Sequence, residues 1–291
     1  MTKKVSFIGL GVMGYPMAGH LQRNGFEVTV YNRTAAKAQQ WVDEYGGAMA
    51  ATPCAASANA EIVFSCVGND NDLRSVVYGD DGILAGLKAG KIYVDHTTTS
   101  AEVAREIAEK AEAAKIAFLD APVSGGQAGA ENGVLTVMVG GDEKNFVIAE
   151  AVIQSYARFV KLLGPVGNGQ LTKMVNQICI AGVVQGLAEA MHFARQAGLD
   201  GEQVIETISK GAAQSWQMEN RYKTMWASEY EFGFAVDWMR KDLGIVLDEA
   251  RNNHSHLPLT ALVDQFYSEV QAMGGNRWDT SSLLARLEAK K

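Results

Sequence analysis

Three side chains in the stretch GNGQLTKMVNQICIAG are of types that suit proton transfer beside a polar substrate. Lys173, Asn176 and Gln177 are spaced so that a helix presents all three on one face. The positive N-terminal end of such a helix and partial burial both disfavour a charged amine. Lys173 can therefore give a proton to a carbonyl oxygen or take one from an alcohol. Taken alone, the pattern also fits a lysine whose ammonium group extends to solvent at a helix end.

A second stretch, APVSGG at residues 121–126, offers groups that can bind an anion. It follows a predicted strand, at the carboxyl edge where open α/β sheets bind their ligands. Ser124 supplies a hydroxyl, and Gly125 and Gly126 leave backbone N–H groups uncovered by side chains. Together they could hold a substrate carboxylate beside Lys173. The alternative is a glycine turn with a helix-capping serine.

The glycines of IGLGVMG match G-x-G-x-x-G, with Gly9, Gly11 and Gly14 between a predicted strand and a predicted helix. In that context the first glycine permits a tight turn, the second lets the backbone approach a pyrophosphate, and the third lets helix and strand pack closely. The helix N-terminus presents unpaired N–H groups and its positive end to the phosphates. The pattern predicts a dinucleotide site, which also includes the intervening Leu10, Val12 and Met13.

The end of the second predicted strand indicates which dinucleotide binds. NAD sites place Asp or Glu there to bind the ribose 2′-OH, whereas this strand ends in VYNRT, with Asn32, Arg33 and Thr34. The next acid along the chain, Asp43, lies inside the next predicted helix. A guanidinium can pair with a 2′-phosphate that a carboxylate would repel, so the sequence favours NADP over NAD. Alternatively, Arg33 is only a solvated loop residue.

Strands and helices alternate over roughly the first 160 residues, which predicts a mostly parallel sheet covered by helices on both faces. Thr34 and Ser100 are predicted helix caps. From Gln170 onward the periodicity is helical. The first helix, apolar on most sides, is predicted to be a buried spine that ends at Gly198. The sequence thus predicts an α/β dinucleotide-binding domain (residues 1–164) and an all-α substrate and dimerisation domain (residues 165–291).

The composition of the 291-residue chain is that of a folded protein, with 47% hydrophobic and 20% charged residues. A net charge of −7 argues against a nucleic-acid partner. The cysteines Cys54, Cys66 and Cys179 show neither a disulfide framework nor a metal spacing, so we expect no metal and a reducing, cytoplasmic location. The stretch ICIAGVVQGLAEAMHFA is expected to be too short and too polar to cross a bilayer, and glycines interrupt the N-terminal apolar run. We therefore expect no membrane association.

Four stretches, in order and spread over most of the chain, resemble the β-hydroxyacid dehydrogenase family, which includes 3-hydroxyisobutyrate dehydrogenases and reductases of tartronate semialdehyde, succinic semialdehyde and glyoxylate. They are GLGVMGYPMAGHL (9–21), DAPVSGG (120–126), GNGQLTKMVNQ (167–177) and KDLGIVLDEA (241–250). The resemblance implies a Rossmann-type domain joined by a long helix to an all-helical domain. It also implies NAD(P)-dependent hydride transfer between nicotinamide and a small β-hydroxy acid, semialdehyde or keto acid.

The resemblance implies roles for individual residues. Lys173 would be the catalytic acid/base. The substrate would contact Ser124, Gly125, Gly126, Asn176 and Gln177. Besides the glycine loop and the NRT stretch, the cofactor would contact Val67, Gly68, Thr97, Phe234 and Lys241. Taken alone, Lys241 is a surface charge next to Asp242, and Phe234 fits a core position equally well.

One departure from the family pattern is visible, and two other functions are compatible with the two-domain plan. Family members often carry two asparagines where this chain has Asn176 and Gln177, so the second amide reaches one methylene further. The alternative functions are an imine reductase and a non-catalytic dinucleotide-binding scaffold. Lys173 argues against both, and the carboxylate-binding stretch argues against the first. The apolar helical half further predicts a homodimer or homotetramer.

Overall fold

The chain divides into two compact units, Met1–Lys173 and Met174–Lys291. The computed structural model describes residues 4–289. The first unit is α/β and the second is helical, which confirms the predicted fold class.

The first unit carries all the strands among the described residues: β1 (Lys4–Ile8), β2 (Glu27–Tyr31), β3 (Ala48–Met49), β4 (Ile62–Ser65), β5 (Ile92–Asp95), β6 (Ala117–Asp120), β7 (Val123–Ser124), β8 (Leu135–Val139) and β9 (Ala157–Leu162). Its helices are α1 (Gly14–Arg23), α2 (Ala35–Tyr45), α3 (Pro53–Ser57), α4 (Asp70–Val77), α5 (Ile83–Gly86), α6 (Ala101–Ala113), α7 (Gly126–Glu131) and α8 (Glu143–Ile153). The helix α9 (Asn168–Gln196) begins in this unit.

The main sheet has the order β3-β2-β1-β4-β5-β6, and all its strand pairs are parallel. This is the strand order of a Rossmann-type sheet. Its central strands are apolar and buried along their length, as expected for a sheet with helices on both faces. The strand order reverses between β1 and β4, so the loops that follow these two strands meet at the switch point where such sheets bind ligands.

A second sheet, β7-β8-β9, was not anticipated by the prediction of one mostly parallel sheet. β7 pairs antiparallel with β8, and β8 pairs parallel with β9. The chain turns back after β6, where Asp120 forms an antiparallel bridge to Gly140. Sequence periodicity did not indicate this change, because buried strands of either sheet are equally apolar.

The two predicted helix caps have different outcomes. The Ser100 hydroxyl accepts a hydrogen bond from the Val103 amide, which confirms it as the cap of α6. Thr34 occupies the N-cap position of α2 with an extended backbone, as predicted, but its side chain makes no capping hydrogen bond. Instead, the Asn32 side chain donates to the Thr34 carbonyl oxygen at 3.1 Å and closes the turn before α2.

The second unit comprises most of α9 followed by α10 (Gly201–Ile208), α11 (Trp216–Trp226), α12 (Val236–Asn253), α13 (Pro258–Ala272), a 3₁₀ turn (Thr280–Ser282) and α14 (Leu283–Glu288). One face of α9 contributes Ala181, Val184, Ala188 and Met191 to the core of this unit. The prediction that α9 is buried on all sides is wrong within the described chain, because Val175, Val183 and Phe193 on it are exposed.

The expectation that the apolar stretch is too short and too polar to cross a bilayer also needs correction. α9 has 29 residues and a mean hydropathy of 1.2 over an 18-residue window, so by length and composition it would suffice to cross a bilayer. The helix is longer than the apolar stretch visible in the sequence because it begins at Asn168 and continues to Gln196. In the structure 44% of that window is buried within the protein, and core helices of globular proteins meet the same criteria.

Candidate functional site

The glycine loop lies between β1 and α1 and is shaped by two of its three glycines. Gly9 has φ +94°, and a Cβ there would collide with the Cys66 carbonyl oxygen after β4. A Cβ at Gly14 would collide with the Gly9 carbonyl oxygen. A Cβ at Gly11, by contrast, would meet no atom within 4 Å. The fold gives no steric reason for glycine at position 11, whereas the close approach of a pyrophosphate does.

Asn32, at the end of β2, holds this loop in place. Its Oδ1 accepts a hydrogen bond from the Leu10 amide at 3.0 Å, and its Nδ2 donates to Thr34. Arg33 beside it has a side chain that is 88% exposed, and Nη1 lies 3.5 Å from the Asp72 carboxylate at the start of α4. A guanidinium in this position is accessible to an anion. The Asp72 carboxylate would compete with that anion for the guanidinium.

The loops after β4 and β5 are joined by Thr97. Its hydroxyl accepts a hydrogen bond from the Val67 amide at 3.0 Å and donates to Asp95 Oδ1 at 2.7 Å. The same Asp95 oxygen accepts from the Ser65 hydroxyl, and its other oxygen is buried with no hydrogen-bond partner among the described residues. Burial raises the pKa of Asp95 to about 7, although these hydrogen bonds lower it.

The first turn of α9 is anchored by Asp120 at the end of β6. Its Oδ1 accepts from the Gly167 amide at 2.8 Å and its Oδ2 from the Gln170 amide at 2.9 Å. Burial raises the pKa of Asp120 to about 6, against the lowering effect of these hydrogen bonds. Lys173 lies three residues after Gln170 on α9 and is 8% exposed. The reading of Lys173 as an ammonium group extended to solvent therefore does not hold.

The predicted anion-binding stretch spans β7 and the start of α7. Ser124 lies in β7 opposite Thr136 of β8. Gly125 and Gly126 have φ angles of +134° and +62°, which glycine adopts without strain. The cap position of α7 is occupied by Gly125 and not by Ser124, so the reading of Ser124 as a helix cap does not hold.

The helical unit brings together Asn176 and Gln177 of α9 and Lys241 of α12. Asn176 Nδ2 donates to Gln177 Oε1 at 2.8 Å, and Gln177 Nε2 donates to Asp242 Oδ2 at 2.6 Å. The second Asp242 oxygen lies 3.1 Å from Lys241 Nζ, in a pair whose side chains are only 20% and 2% exposed. Lys241 is therefore not a plain surface charge.

Phe234 and His96 both pack against interior residues of their own unit. Phe234 is half-buried against the helical core, and its amide donates to Asp279 Oδ2 at 2.9 Å. His96 is buried between the Ala121 carbonyl oxygen and the Tyr156 hydroxyl, and burial lowers its pKa to about 4, so the ring is neutral. Within residues 4–289, no group of three or more His, Cys, Asp or Glu side chains is placed to hold a metal ion.

Comparison with known proteins matches each of the two units to a family model. Residues 4–167 match the family model described as the NAD binding domain of 6-phosphogluconate dehydrogenase. Residues 167–287 match the one described as "NAD-binding of NADP-dependent 3-hydroxyisobutyrate dehydrogenase". An oxidoreductase of Shewanella frigidimarina is 73% identical over 99% of both chains. The chain belongs to the β-hydroxyacid dehydrogenase family.

Two further proteins show how far this likeness extends. The 2-(hydroxymethyl)glutarate dehydrogenase of Eubacterium barkeri is 33% identical over 97% of this chain and 93% of its own. A structure of Mycobacterium tuberculosis 3-hydroxyisobutyrate dehydrogenase with L-serine has a TM-score of 0.89 at 28% identity, covering 99% of this chain and 100% of that one. This β-hydroxyacid dehydrogenase is accordingly an NAD(P)-dependent oxidoreductase acting on CH–OH groups, which confirms the main prediction over an imine reductase or a scaffold.

Three buried residues of this β-hydroxyacid dehydrogenase were not singled out from the sequence, although they hold the predicted site residues in place. Asp95 bonds to Thr97, Asp120 caps α9, and Asp242 pairs with Lys241. An acid at the end of a buried strand is a detectable signal, because charged residues are rarely buried unless they are partnered. That signal was present in IYVDHT and AFLDAP.

Proposed function

We propose that this β-hydroxyacid dehydrogenase interconverts a small, carboxylate-bearing β-hydroxy acid with its semialdehyde or keto acid, using NADP in preference to NAD. The observation that carries the proposal is the position of Lys173. It is buried on the first turns of α9, and that helix start is fixed by two hydrogen bonds to Asp120. A buried amine on a fixed support suits proton transfer.

The cofactor would be held by the loops at the switch point of the main sheet. The residues proposed for this role are Gly9, Leu10, Gly11, Val12, Met13, Gly14, Asn32, Arg33, Thr34, Val67, Gly68 and Thr97. The family resemblance adds Phe234 and Lys241, which belong to the helical unit. The open space beside Gly11 leaves room for the pyrophosphate to approach the backbone. When bound, the nicotinamide supplies or accepts the hydride.

Lys173 manages the proton that balances this hydride. In reduction, Nζ gives a proton to the carbonyl oxygen as hydride reaches the carbonyl carbon, so an alcohol forms and the amine is left neutral. In oxidation, the neutral amine takes the hydroxyl proton as hydride leaves the carbon. Solvent exchange restores the starting protonation state in either direction.

The substrate carboxylate would be bound by Ser124 and the backbone N–H groups of Gly125 and Gly126. Asn176 and Gln177, within one turn of Lys173 along α9, would contact the rest of the molecule. A small substrate with these features is consistent with the relatives: the Mycobacterium tuberculosis structure contains L-serine, a β-hydroxy acid, and the Eubacterium barkeri enzyme is named for a hydroxymethyl dicarboxylate.

The preference for NADP rests on Arg33 and its neighbours. The exposed Arg33 guanidinium can pair with a 2′-phosphate, and the exposed Thr34 hydroxyl, which does not cap α2, can donate to it. Asn32 contributes no negative charge where an NAD site usually has a carboxylate. A family model described as NADP-dependent matches the helical half of the chain.

We also propose a cytoplasmic homodimer or homotetramer. Exposed apolar side chains recur along one face of α9, at Val175, Val183 and Phe193, and Leu259 and Leu262 of α13 are exposed as well. Apolar surface of this kind is typical of contacts between protein chains. Light scattering on the purified protein should give a dimer or a tetramer, and a monomer at micromolar concentration would contradict this part of the proposal.

The substrate proposal is tested by following reduced nicotinamide with 3-hydroxyisobutyrate, glyoxylate, succinic semialdehyde and a cyclic imine, each with both cofactors. At least one small acid should turn over, and its methyl ester should be much poorer because the donors around Ser124 would be left unpaired. Turnover of the imine alone, or equal kcat/KM for acid and ester, would contradict the proposal. Cofactor binding without turnover on any acid would indicate a scaffold.

A further inference from the structure

The side chain of Gln170 links two segments that the reaction requires. It is fully buried, and both ends of its amide are used: Nε2 donates to the Thr97 carbonyl oxygen at 2.7 Å, and Oε1 accepts from the Thr99 amide at 3.1 Å. Its own backbone amide donates to Asp120. One residue thus joins the loop after β5, the end of β6 and the first turn of α9.

Each side of this link carries a proposed functional residue. On the loop side, the Thr97 hydroxyl also accepts a hydrogen bond from the Val67 amide. Thr97 therefore links the loops after β4 and β5. On the helix side, Lys173 lies three residues after Gln170, on the same face of α9. The Gln170 amide is therefore a side-chain bridge between the proposed cofactor loop and the helix turn that carries the proposed acid/base.

Few other side chains could make this bridge. The Thr97 carbonyl requires a donor and the Thr99 amide requires an acceptor at the same place, and a primary amide supplies both. Leucine has a similar volume but would leave both buried backbone groups unpaired. Each end of the bridge is also held independently, because Asp95 binds Thr97 and Asp120 binds the start of α9. Loss of the amide should therefore uncouple the two segments without unfolding either.

We propose that Gln170 is a positioning residue, which sets the Lys173 amine relative to the cofactor loop. This inference rests on the proposed function, in which Lys173 transfers the proton and Thr97 borders the cofactor. Displacing a reacting group by about 1 Å can slow a reaction by up to about 10²-fold. The effect should fall on the hydride-transfer step, since the glycine loop and Arg33 are untouched.

The first test compares Gln170→Leu with Gln185→Leu. Gln185 is a matched control: it is also a buried glutamine on α9, and its amide donates to Glu189. Gln170→Leu should lower kcat about 10- to 100-fold, leave the NADPH Kd within about threefold, and raise the primary isotope effect measured with 4-deuterated NADPH. Gln185→Leu should lower Tm by about as much as Gln170→Leu does, but its kcat should stay close to that of the parent protein.

The second test is a rescue by pH in Gln170→Glu. A protonated carboxyl has the donor and acceptor of the amide, whereas a carboxylate faces the Thr97 carbonyl oxygen without a proton to donate. The ratio of variant to parent kcat should therefore rise as the pH falls. The nearby titratable groups Asp95, His96, Asp120 and Lys173 are present in both proteins, so the ratio removes their contribution.

Several outcomes would overturn the inference: a parental kcat in Gln170→Leu, equal losses of kcat in Gln170→Leu and Gln185→Leu, or a pH-independent ratio for Gln170→Glu. A large rise in NADPH Kd with an unchanged isotope effect would also overturn it, since the residue would then act on cofactor binding. These results concern the inference alone, because the proposed function is tested separately, on the parent protein with the substrate panel and both cofactors.

Discussion

The side-chain amide of Gln177 donates a 2.6 Å hydrogen bond to the carboxylate of Asp242. Asp242 is 2% exposed, and the charged group beside it is the Lys241 ammonium. A buried carboxylate is costly unless its oxygens are partnered. The departure from the usual family asparagine at position 177 therefore has a structural consequence: the longer side chain reaches an acid on α12.

Gln177→Asn should shorten this reach and leave Asp242 Oδ2 without its donor. The free energy of unfolding should fall by about 1–3 kcal/mol, the cost of an unsatisfied buried acceptor. Urea unfolding followed by circular dichroism measures it. Gln185→Asn is the control, and it should cost less because its partner, Glu189, is exposed to solvent. Equal losses in the two variants would show that the Asp242 contact contributes nothing specific.

Lys173→Ala should lower kcat about 10²–10⁴-fold at saturating substrate, the usual contribution of a positioned acid or base. The NADPH Kd, measured by fluorescence titration, should change little because the glycine loop is intact. Lys161→Ala removes an exposed lysine from β9 and serves as a control for loss of charge. Near-parental turnover of Lys173→Ala would rule out its role as the acid/base.

The parent should prefer NADPH over NADH in kcat/KM by about ten- to hundredfold, the worth of a hydrogen bond to a charged group. Arg33→Ala should remove most of this preference, and added salt should reduce it because Arg33 is exposed. Asp72→Asn should increase it by removing the competing carboxylate. Asn32→Asp should favour NADH, since Oδ1 can still accept from Leu10 while a carboxylate would repel the 2′-phosphate. A parental preference for NADH would refute the cofactor assignment.

Asp95 should make the protein less stable as the pH rises. Its pKa is about 7 in the folded protein, against an ordinary value of 3.8, because burial disfavours the charged form. Between those pH values the folded state holds a proton that the unfolded state releases, so stability present at low pH is lost as the pH rises through about 7. Asp120 contributes in the same direction, with a pKa of about 6.

Asp95→Asn isolates the contribution of Asp95 to the pH dependence of the free energy of unfolding. Urea unfolding at pH 5 and pH 8 should show a smaller loss of stability in the variant than in the parent, with the remaining loss due to Asp120 and other groups. The asparagine keeps an oxygen for the donors from Ser65 and Thr97. If parent and variant lose the same free energy between the two pH values, Asp95 does not carry the proton assigned to it.

Local patterns in the sequence were sufficient for the fold class and for the family. The period of apolar residues separates strands from helices, and the glycine spacing GLGVMG is read directly because each glycine acts within a few residues of its neighbours. For the same reason α9 and the Ser100 cap could be predicted, since a helix and its cap depend on residues close together in the chain. The lysine at 173 and the APVSGG stretch were equally visible.

Only the tertiary structure decided which partners these residues have. Thr97 meets Val67 from another loop, Gln170 meets Thr97 across 73 positions of the chain, and Gln177 meets Asp242 across 65. Asn32 likewise meets the glycine loop at Leu10, across 22 positions. Hydrogen bonds of this kind depend on the meeting of distant strand ends and helix faces. No spacing in the sequence encodes these pairings, since the intervening chain only has to be long enough to fold.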